Sequence, residues 1–250
     1  IVLDIGCGTR YGSNYLAQYS DILIAIDISV KSISSCHSAY KKANINFLIA
    51  DGNKLPLRCN TIQTITSFQV IEHIEPNNIF TFLSELKRVL NEGGIFISST
   101  PNRRLRLLPF QKPWNPDHKK EYDYQELSDL LKKIFPHVKV FSLTCLYDTY
   151  IIEYNRVARA RGNPLMVYVI APIKSIFKKY FKTISYNLFQ FETLKLFLKH
   201  SKVSQASKDE FDIDRFRHNH YYLYSNYLKD AIDIYGVCMK KNKKHHINHL

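Results

Sequence analysis

The sequence predicts an α/β fold in which a doubly wound, parallel sheet carries helices on both faces. Three observations support this. Apolar runs rich in Ile, Leu and Val recur at residues 1–5, 22–26 and 45–50, as expected of strands buried on both faces. Segments with helical patterning alternate with these runs. Each run carries an acid near its C-terminal end, Asp4, Asp27 and Asp51. Open α/β sheets bind their ligands at that edge.

The elements follow in order. Residues 1–5 form the first strand, which breaks into a turn at Gly6 and Gly8. Small residues between a strand and a helix let a ligand approach bare backbone at the helix N-terminus. This marks a nucleotide-type cofactor site. A dinucleotide turn requires glycine at the first, third and sixth positions, and the sixth here is Tyr11. Residues 15–19 read as helix, and the strand over 22–26 ends in Asp27, twenty-one residues after Gly6. A carboxylate at that distance suits a ribose diol, because it accepts from both hydroxyls. A helix over 30–42 leads to the strand over 45–50, then to Asp51 and the flexible Gly52. No lysine stands in the glycine loop to hold phosphate, so a cofactor with a ribose and a positive centre fits best. A strand over 62–68 and a helix over 77–90 follow, with Gly93 and Gly94 suited to ending that helix. Strands over 95–99, 138–143 and 232–239 complete the series.

The pattern divides the chain into a cofactor-binding core over 1–146, an insertion over 147–230, a final core strand over 231–240 and a basic, disordered tail over 241–250. Net charge is +13, and it is local: residues 1–100 hold eight basic and eight acidic side chains, whereas residues 156–208 hold eleven Lys or Arg and one acid, Glu192. Within the insertion, Ile173, Ile176, Phe177, Tyr180, Phe181, Ile184 and Leu188 recur at helical spacing opposite Lys174, Lys178, Lys179 and Lys182. Three readings of this 173–188 helix stay open: its apolar face packs on the domain, it lies on an anionic membrane, or it lines a basic groove for RNA. Nucleic acid is the least favoured. The longest strongly apolar run, residues 165–173, is too short to span a bilayer. Five scattered cysteines, Cys7, Cys36, Cys59, Cys145 and Cys238, exclude a disulfide framework and point to a reducing cytosol. The chain begins inside its first strand without an initiator methionine, so a truncated N-terminus is expected.

These motifs together resemble the class I S-adenosylmethionine-dependent methyltransferases. Leu3-Asp-Ile-Gly-Cys-Gly-Thr9 looks like the family's first motif, and Ala25-Ile-Asp27 like its ribose-binding acid. Ala50-Asp-Gly-Asn-Lys-Leu-Pro56 is similar to the adenine-side motif. Ser67-Phe-Gln-Val-Ile-Glu-His-Ile74 resembles the segment after the fourth strand, and Leu86 to Ile95 with Ser99-Thr-Pro-Asn102 the following helix, turn and strand. The resemblance implies a Rossmann-like sheet whose last strand is antiparallel and at the edge, with S-adenosylmethionine as cofactor. It implies that Asp4, Gly6, Cys7 and Gly8 hold the methionine end, and that Asp27 and Ile28 hold the ribose. Asp51 and Gly52 would serve the adenine side, with Phe68 lining the pocket. One position departs from the family: Arg10 stands where it usually has a third glycine. Arg10 either points to solvent, contacts the cofactor carboxylate or spoils the site.

Methyl transfer to a hydroxyl requires a base for the acceptor's proton. His73, just past the fourth strand, and His118, in a polar loop after the fifth, are the candidate catalytic residues. The bland alternative for His73 is a helix-start residue bonded to backbone. Gln69, Glu72, His73 and His118 echo a Glu-x-x-Glu-His pattern with a distant His in some divalent-metal O-methyltransferases, but Gln69 replaces the first acid, and no metal is expected. The expected function is O-methylation of a hydroxyl on a small, sugar, glycan or lipid-linked substrate. RNA or quinone-lipid methylation and a catalytically inactive binding protein are the alternatives. A cytoplasmic location is expected, with membrane association through the 173–188 helix as its variant.

Overall fold

The computed structural model describes residues 1–8, 12–40, 42–145, 147–162, 164, 168, 221–224 and 231–240. Strand β1 (Val2–Ile5) lies between β2 (Leu23–Asp27) and β4 (Ile62–Phe68) and pairs in parallel with both. Strand β3 (Ile45–Ile49) extends the sheet beyond β2, and β5 (Leu90–Pro101) extends it beyond β4, again in parallel. Then the direction changes. Strand β8 (Asp233–Met239) is antiparallel to β5 and to β6 (His137–Cys145), and β7 (Tyr221–Tyr224) closes the edge antiparallel to β6. Among the described residues the sheet has eight strands in the order β3-β2-β1-β4-β5-β8-β6-β7.

Five of the helices are α1 (Gly12–Leu16), α2 (Val30–Ala39), α3 (Ile79–Val89), α4 (Arg103–Arg106) and α5 (Tyr124–Lys132). Their sequences account for them. In α3, Ile79, Phe82, Leu83, Leu86 and Val89 form the buried stripe of a 3.6-residue period. Helix α2 starts where the Ser29 hydroxyl accepts the Ser32 amide at 3.2 Å. Helix α5 starts in a capping box, with Asp123 accepting the Glu126 amide and Glu126 accepting the Asp123 amide, both at 3.0 Å. The main core gathers Leu3, Ile26, Ile65, Phe82, Phe96 and Phe135 between the sheet and these helices.

Several expectations need correction. The last strand, β8, is antiparallel but internal, because β6 and β7 pair outside it. The glycines Gly93 and Gly94 lie within β5 rather than ending a helix, and α3 already stops at Val89. By its contacts the chain divides into two units, Ile1–Arg161 with Tyr221–Leu250, and Gly162–His220. All the elements named here lie in the first. The reason is contact: in α6 (Tyr147–Arg161), Val157 is buried and the Arg161 guanidinium donates to the Leu105 carbonyl at 3.2 Å, while β7 hydrogen-bonds β6. The 173–188 segment, the 241–250 tail and Arg10 lie outside the described residues. No helix among the described residues is long and apolar enough to cross a membrane.

Gly236 shows how closely α5 packs on β8. A Cβ there would stand 2.4 Å from Leu131 Cδ1 and 3.1 Å from Ser98 Oγ. Gly236→Ala is expected to destabilise the protein by about 1–3 kcal/mol through overpacking. Urea denaturation measures this as a lower midpoint at unchanged slope.

Candidate functional site

The strand order reverses between β1 and β4, so the loops leaving their C-terminal ends diverge and open a crevice. Two adjoining clefts occupy it, and both are lined by Gly6, Gln69 and His73. The first, of about 920 Å³, is lined further by Asp27, Ile28, Asp51, Gly52, Asn53 and Phe82. The second, of about 800 Å³, is lined by Asp4, Cys7, Gly8, Tyr15, Phe68, Glu72, Asn115 and His118.

Each side chain is held by a specific contact. The Asp27 carboxylate accepts the Gly8 amide and the Ser29 amide, both at 2.8 Å. It therefore ties the glycine loop to the start of α2. Gly6 has φ +69°, and a Cβ there would meet Val70 Cγ2 at 2.4 Å, so a side chain is barred twice over. Asp51 accepts the Asn53 backbone and side-chain amides at 2.9 and 2.8 Å. Ile28 and Phe68 stand exposed at the cleft walls.

Asp4 does not join Asp27 and Asp51 in the first cleft. It is buried beside the second, where its oxygens accept from the Ser13 hydroxyl at 2.6 Å and the Thr66 hydroxyl at 2.9 Å. Burial raises its pKa, against the pull of those two hydroxyls. Asp4 thus anchors the glycine loop to α1 and β4. Cys7 is also buried, which pushes its thiol up to about 12 and leaves it unreactive as a nucleophile.

The two histidines meet. Their rings pack edge to face with centroids 4.8 Å apart. His73 Nδ1 lies 3.1 Å from the Asp117 carbonyl, so Nδ1 carries the proton. His118 Nδ1 lies 2.7 Å from Glu121 Oε1. Burial lowers the His118 pKa, Glu121 opposes this, and His73 and Arg106 add to it. The loop bearing His118 docks on the segment bearing His73: the Lys119 and Lys120 amides both donate to the Glu72 carbonyl, at 2.7 and 3.2 Å. The Glu72 side chain is fully buried and accepts from the Thr100 hydroxyl at 2.9 Å. Glu72, His73 and His118 each offer one ligand atom, all within 4.8 Å of one another, and they are the described residues best placed to receive a cation.

The residue pattern brought out His73, His118 and the loop acids, but missed Glu121, Arg106, Ser13 and Thr66. Glu121 carried one signal, an acid three residues after a histidine in a polar loop. The other three announce nothing in sequence, because their partners lie far along the chain or are themselves unremarked.

The cleft suits a nucleoside donor on its own evidence. An ionised carboxylate has about four acceptor sites, so Asp27 keeps capacity for a diol beyond its two amides. Among the described residues, and its chain neighbours aside, no heavy atom lies within 4 Å of where a Cβ on Gly8 would stand.

Comparison with known proteins agrees. Residues 3–98 match the Methyltransferase domain family. The chain is 35% identical over 133 residues to a probable S-adenosylmethionine-dependent methyltransferase of Mycolicibacterium smegmatis, covering 52% of this chain and 49% of that protein. It is 29% identical over 110 residues to a ubiquinone biosynthesis O-methyltransferase of Parvibaculum lavamentivorans, covering 43% of each. The chain thus spans about half the length of the curated relatives it matches. A SAM-dependent methyltransferase from Archaeoglobus fulgidus shares the fold, with a TM-score of 0.52 at 17% identity over 96% of this chain and 85% of that one. Residues 3–98 therefore carry a methyltransferase domain similar to those of S-adenosylmethionine-dependent methyltransferases, set in a sheet of the same fold.

Proposed function

We propose that the protein transfers a methyl group from S-adenosylmethionine to a hydroxyl oxygen of a small, sugar-bearing or lipid-linked acceptor. The donor supplies an electrophilic methyl group on a sulfonium. In this reading Asp27 receives the ribose hydroxyls, Ile28 packs on the nucleoside, and Asp51 with Gly52 borders the adenine. Gly6 and Gly8 leave backbone free for the methionine portion, with Asp4 bracing their loop. His118 takes the acceptor's proton, and His73 packs against it at the junction of the two clefts. The observation that carries this reading is the histidine pair: His73 lines both the cleft of Asp27 and Asp51 and the cleft of Gly8 and Phe68, and His118, packed on it, lines the second. In-line displacement needs donor and acceptor held at such a junction. The reading includes a cytoplasmic location.

A quinone-type lipid acceptor is a second reading, favoured by the likeness to ubiquinone biosynthesis O-methyltransferases. Labelled donor incubated with pools of hydroxylated sugars, glycolipids, quinols and RNA, followed by mass spectrometry, tests both. A methyl ether on a sugar or glycolipid supports the first reading and one on a quinol supports the second. Methylation confined to nitrogen or carbon overturns O-methylation.

Asp27→Asn is expected to weaken S-adenosylhomocysteine binding by roughly 10- to 100-fold in calorimetry. Unchanged affinity removes Asp27 from the ribose site. His118→Ala is expected to lower kcat by about 10²- to 10⁴-fold while the donor still binds.

Glu72 adds a pH dependence. Burial raises its pKa to about 7, from the ordinary glutamate value of 4.5. The folded state therefore holds a proton that the unfolded chain releases, and stability falls as pH rises through this interval. Glu72→Gln is expected to be stabilised relative to wild type at about pH 8 more than at about pH 4. Urea midpoints at the two pH values measure the difference.

A further inference from the structure

His118 belongs to a chain of three buried side chains. Glu121 is 1% exposed and Arg106 is 8% exposed. Arg106 Nε lies 3.2 Å from both Glu121 oxygens, and its guanidinium stacks 4.3 Å from the centre of the Trp114 ring. Glu121 Oε1 in turn lies 2.7 Å from His118 Nδ1. Both Glu121 oxygens accept from Arg106 Nε, so Glu121 meets His118 as an acceptor and His118 Nδ1 carries the proton. The neutral ring then has one bare nitrogen, Nε2, on the edge away from Glu121.

The backbone keeps this geometry from drifting. The loop from Leu107 to Glu121 is closed at its base by a bridge between Asn102 and Tyr122, and the Arg103 amide donates to the Tyr122 carbonyl at 2.9 Å. Next along α4, Arg103 pairs with Asp123 at 2.9 Å and with Glu126 at 3.1 Å. Beside His118 itself, the Lys119 and Lys120 amides are fastened to the Glu72 carbonyl. Arg106, at the end of α4, and Glu121, at the end of the loop, therefore meet at a base held on both sides. His118 lines the cleft that also contains Gly8 and Phe68.

We propose that Glu121, clamped by Arg106, is a positioning residue that holds His118 in the tautomer and orientation leaving Nε2 to accept the acceptor's proton. This rests on the function proposed above. In the step, the acceptor O–H proton passes to Nε2 as the oxygen–methyl bond forms and the sulfur–methyl bond breaks, the electron pair of the latter returning to sulfur. The imidazolium formed is stabilised by the Glu121 carboxylate beside Nδ1, and it later gives its proton to water. An amide at position 121 can donate to Nδ1 as well as accept from it, so the wrong tautomer becomes populated.

Long-range ¹H–¹⁵N spectra of the full chain, with His118 assigned by its loss in His118→Ala, test the tautomer without any turnover. The expected result is a protonated Nδ1 and a bare Nε2 in the neutral wild-type ring. In Glu121→Gln the Nε2-protonated form is expected to appear. Its kcat is expected to drop about 30-fold or more with both KM values retained, and Glu121→Asp to recover part of the loss. Where Glu121→Gln does not fold, the double variant Arg106→Met with Glu121→Gln removes both charges together and is read in the same way. A proton on Nε2 in wild type, or a folded Glu121→Gln or double variant with wild-type kcat, overturns the proposal. Full activity in His118→Ala would instead overturn the base role of His118, a separate outcome from the tautomer measurement.

Discussion

Strand β1 hydrogen-bonds β2 on one side and β4 on the other, and the site follows from that placement. The connections leaving β1 and β4 turn to opposite faces of the sheet, so the backbone parts between them at the C-terminal edge. The Asp27 carboxylate holds this opening in shape by bonding the amides of Gly8 and Ser29 together. Loss of that carboxylate would free the glycine loop and the first turn of α2 together. Asp4 acts from beneath, fastening the same loop to Ser13 and Thr66. The two acids therefore differ in duty: one borders the ligand cleft, and the other is spent inside the protein.

The second half of the site depends on a different kind of constraint. No strand carries His118; a long loop does, and loops hold a geometry only when their polar groups are satisfied. Three arginines of α4 answer three acids downstream, Arg103 and Arg104 to Asp123, Arg103 to Glu126, and Arg106 to Glu121. The pairs near Asp123 are half exposed and add little stability singly. The Arg106–Glu121 pair is buried, where removing one partner leaves an uncompensated charge. That asymmetry is why the loop can be both polar and rigid.

Comparisons at the level of sequence and fold converge on the donor side and thin out on the acceptor side. The matched family covers residues 3–98, which include Asp4, the glycine loop, Asp27, Asp51 and His73. His118 and Glu121 lie beyond it. The proposed acceptor side therefore rests on residues outside the family match, consistent with loops that vary while the scaffold persists.

The strands over 1–5, 22–26, 45–50 and 62–68 were legible because double burial forces an unbroken apolar run, a signal local in the chain. The glycine loop and Asp27 were legible for a similar reason, since a turn against a ligand restricts residue type at fixed spacing. Where β8 inserts, that β7 exists and that α6 belongs to the first unit were not legible, because strand order is decided by pairing between residues distant in sequence. The same holds for the acids. Sequence placed Asp4, Asp27 and Asp51 at one edge, but only folding showed that Ser13 and Thr66 occupy Asp4. It likewise took tertiary structure to join His73 to His118, and Arg106 to Glu121 across fourteen intervening residues. Sequence by itself determined the fold class and marked a nucleotide-type cofactor site, since both depend on periodicity and backbone freedom. Tertiary structure decided which polar groups face the clefts and which are spent on one another, because hydrogen-bond partnership is a property of space rather than of order along the chain.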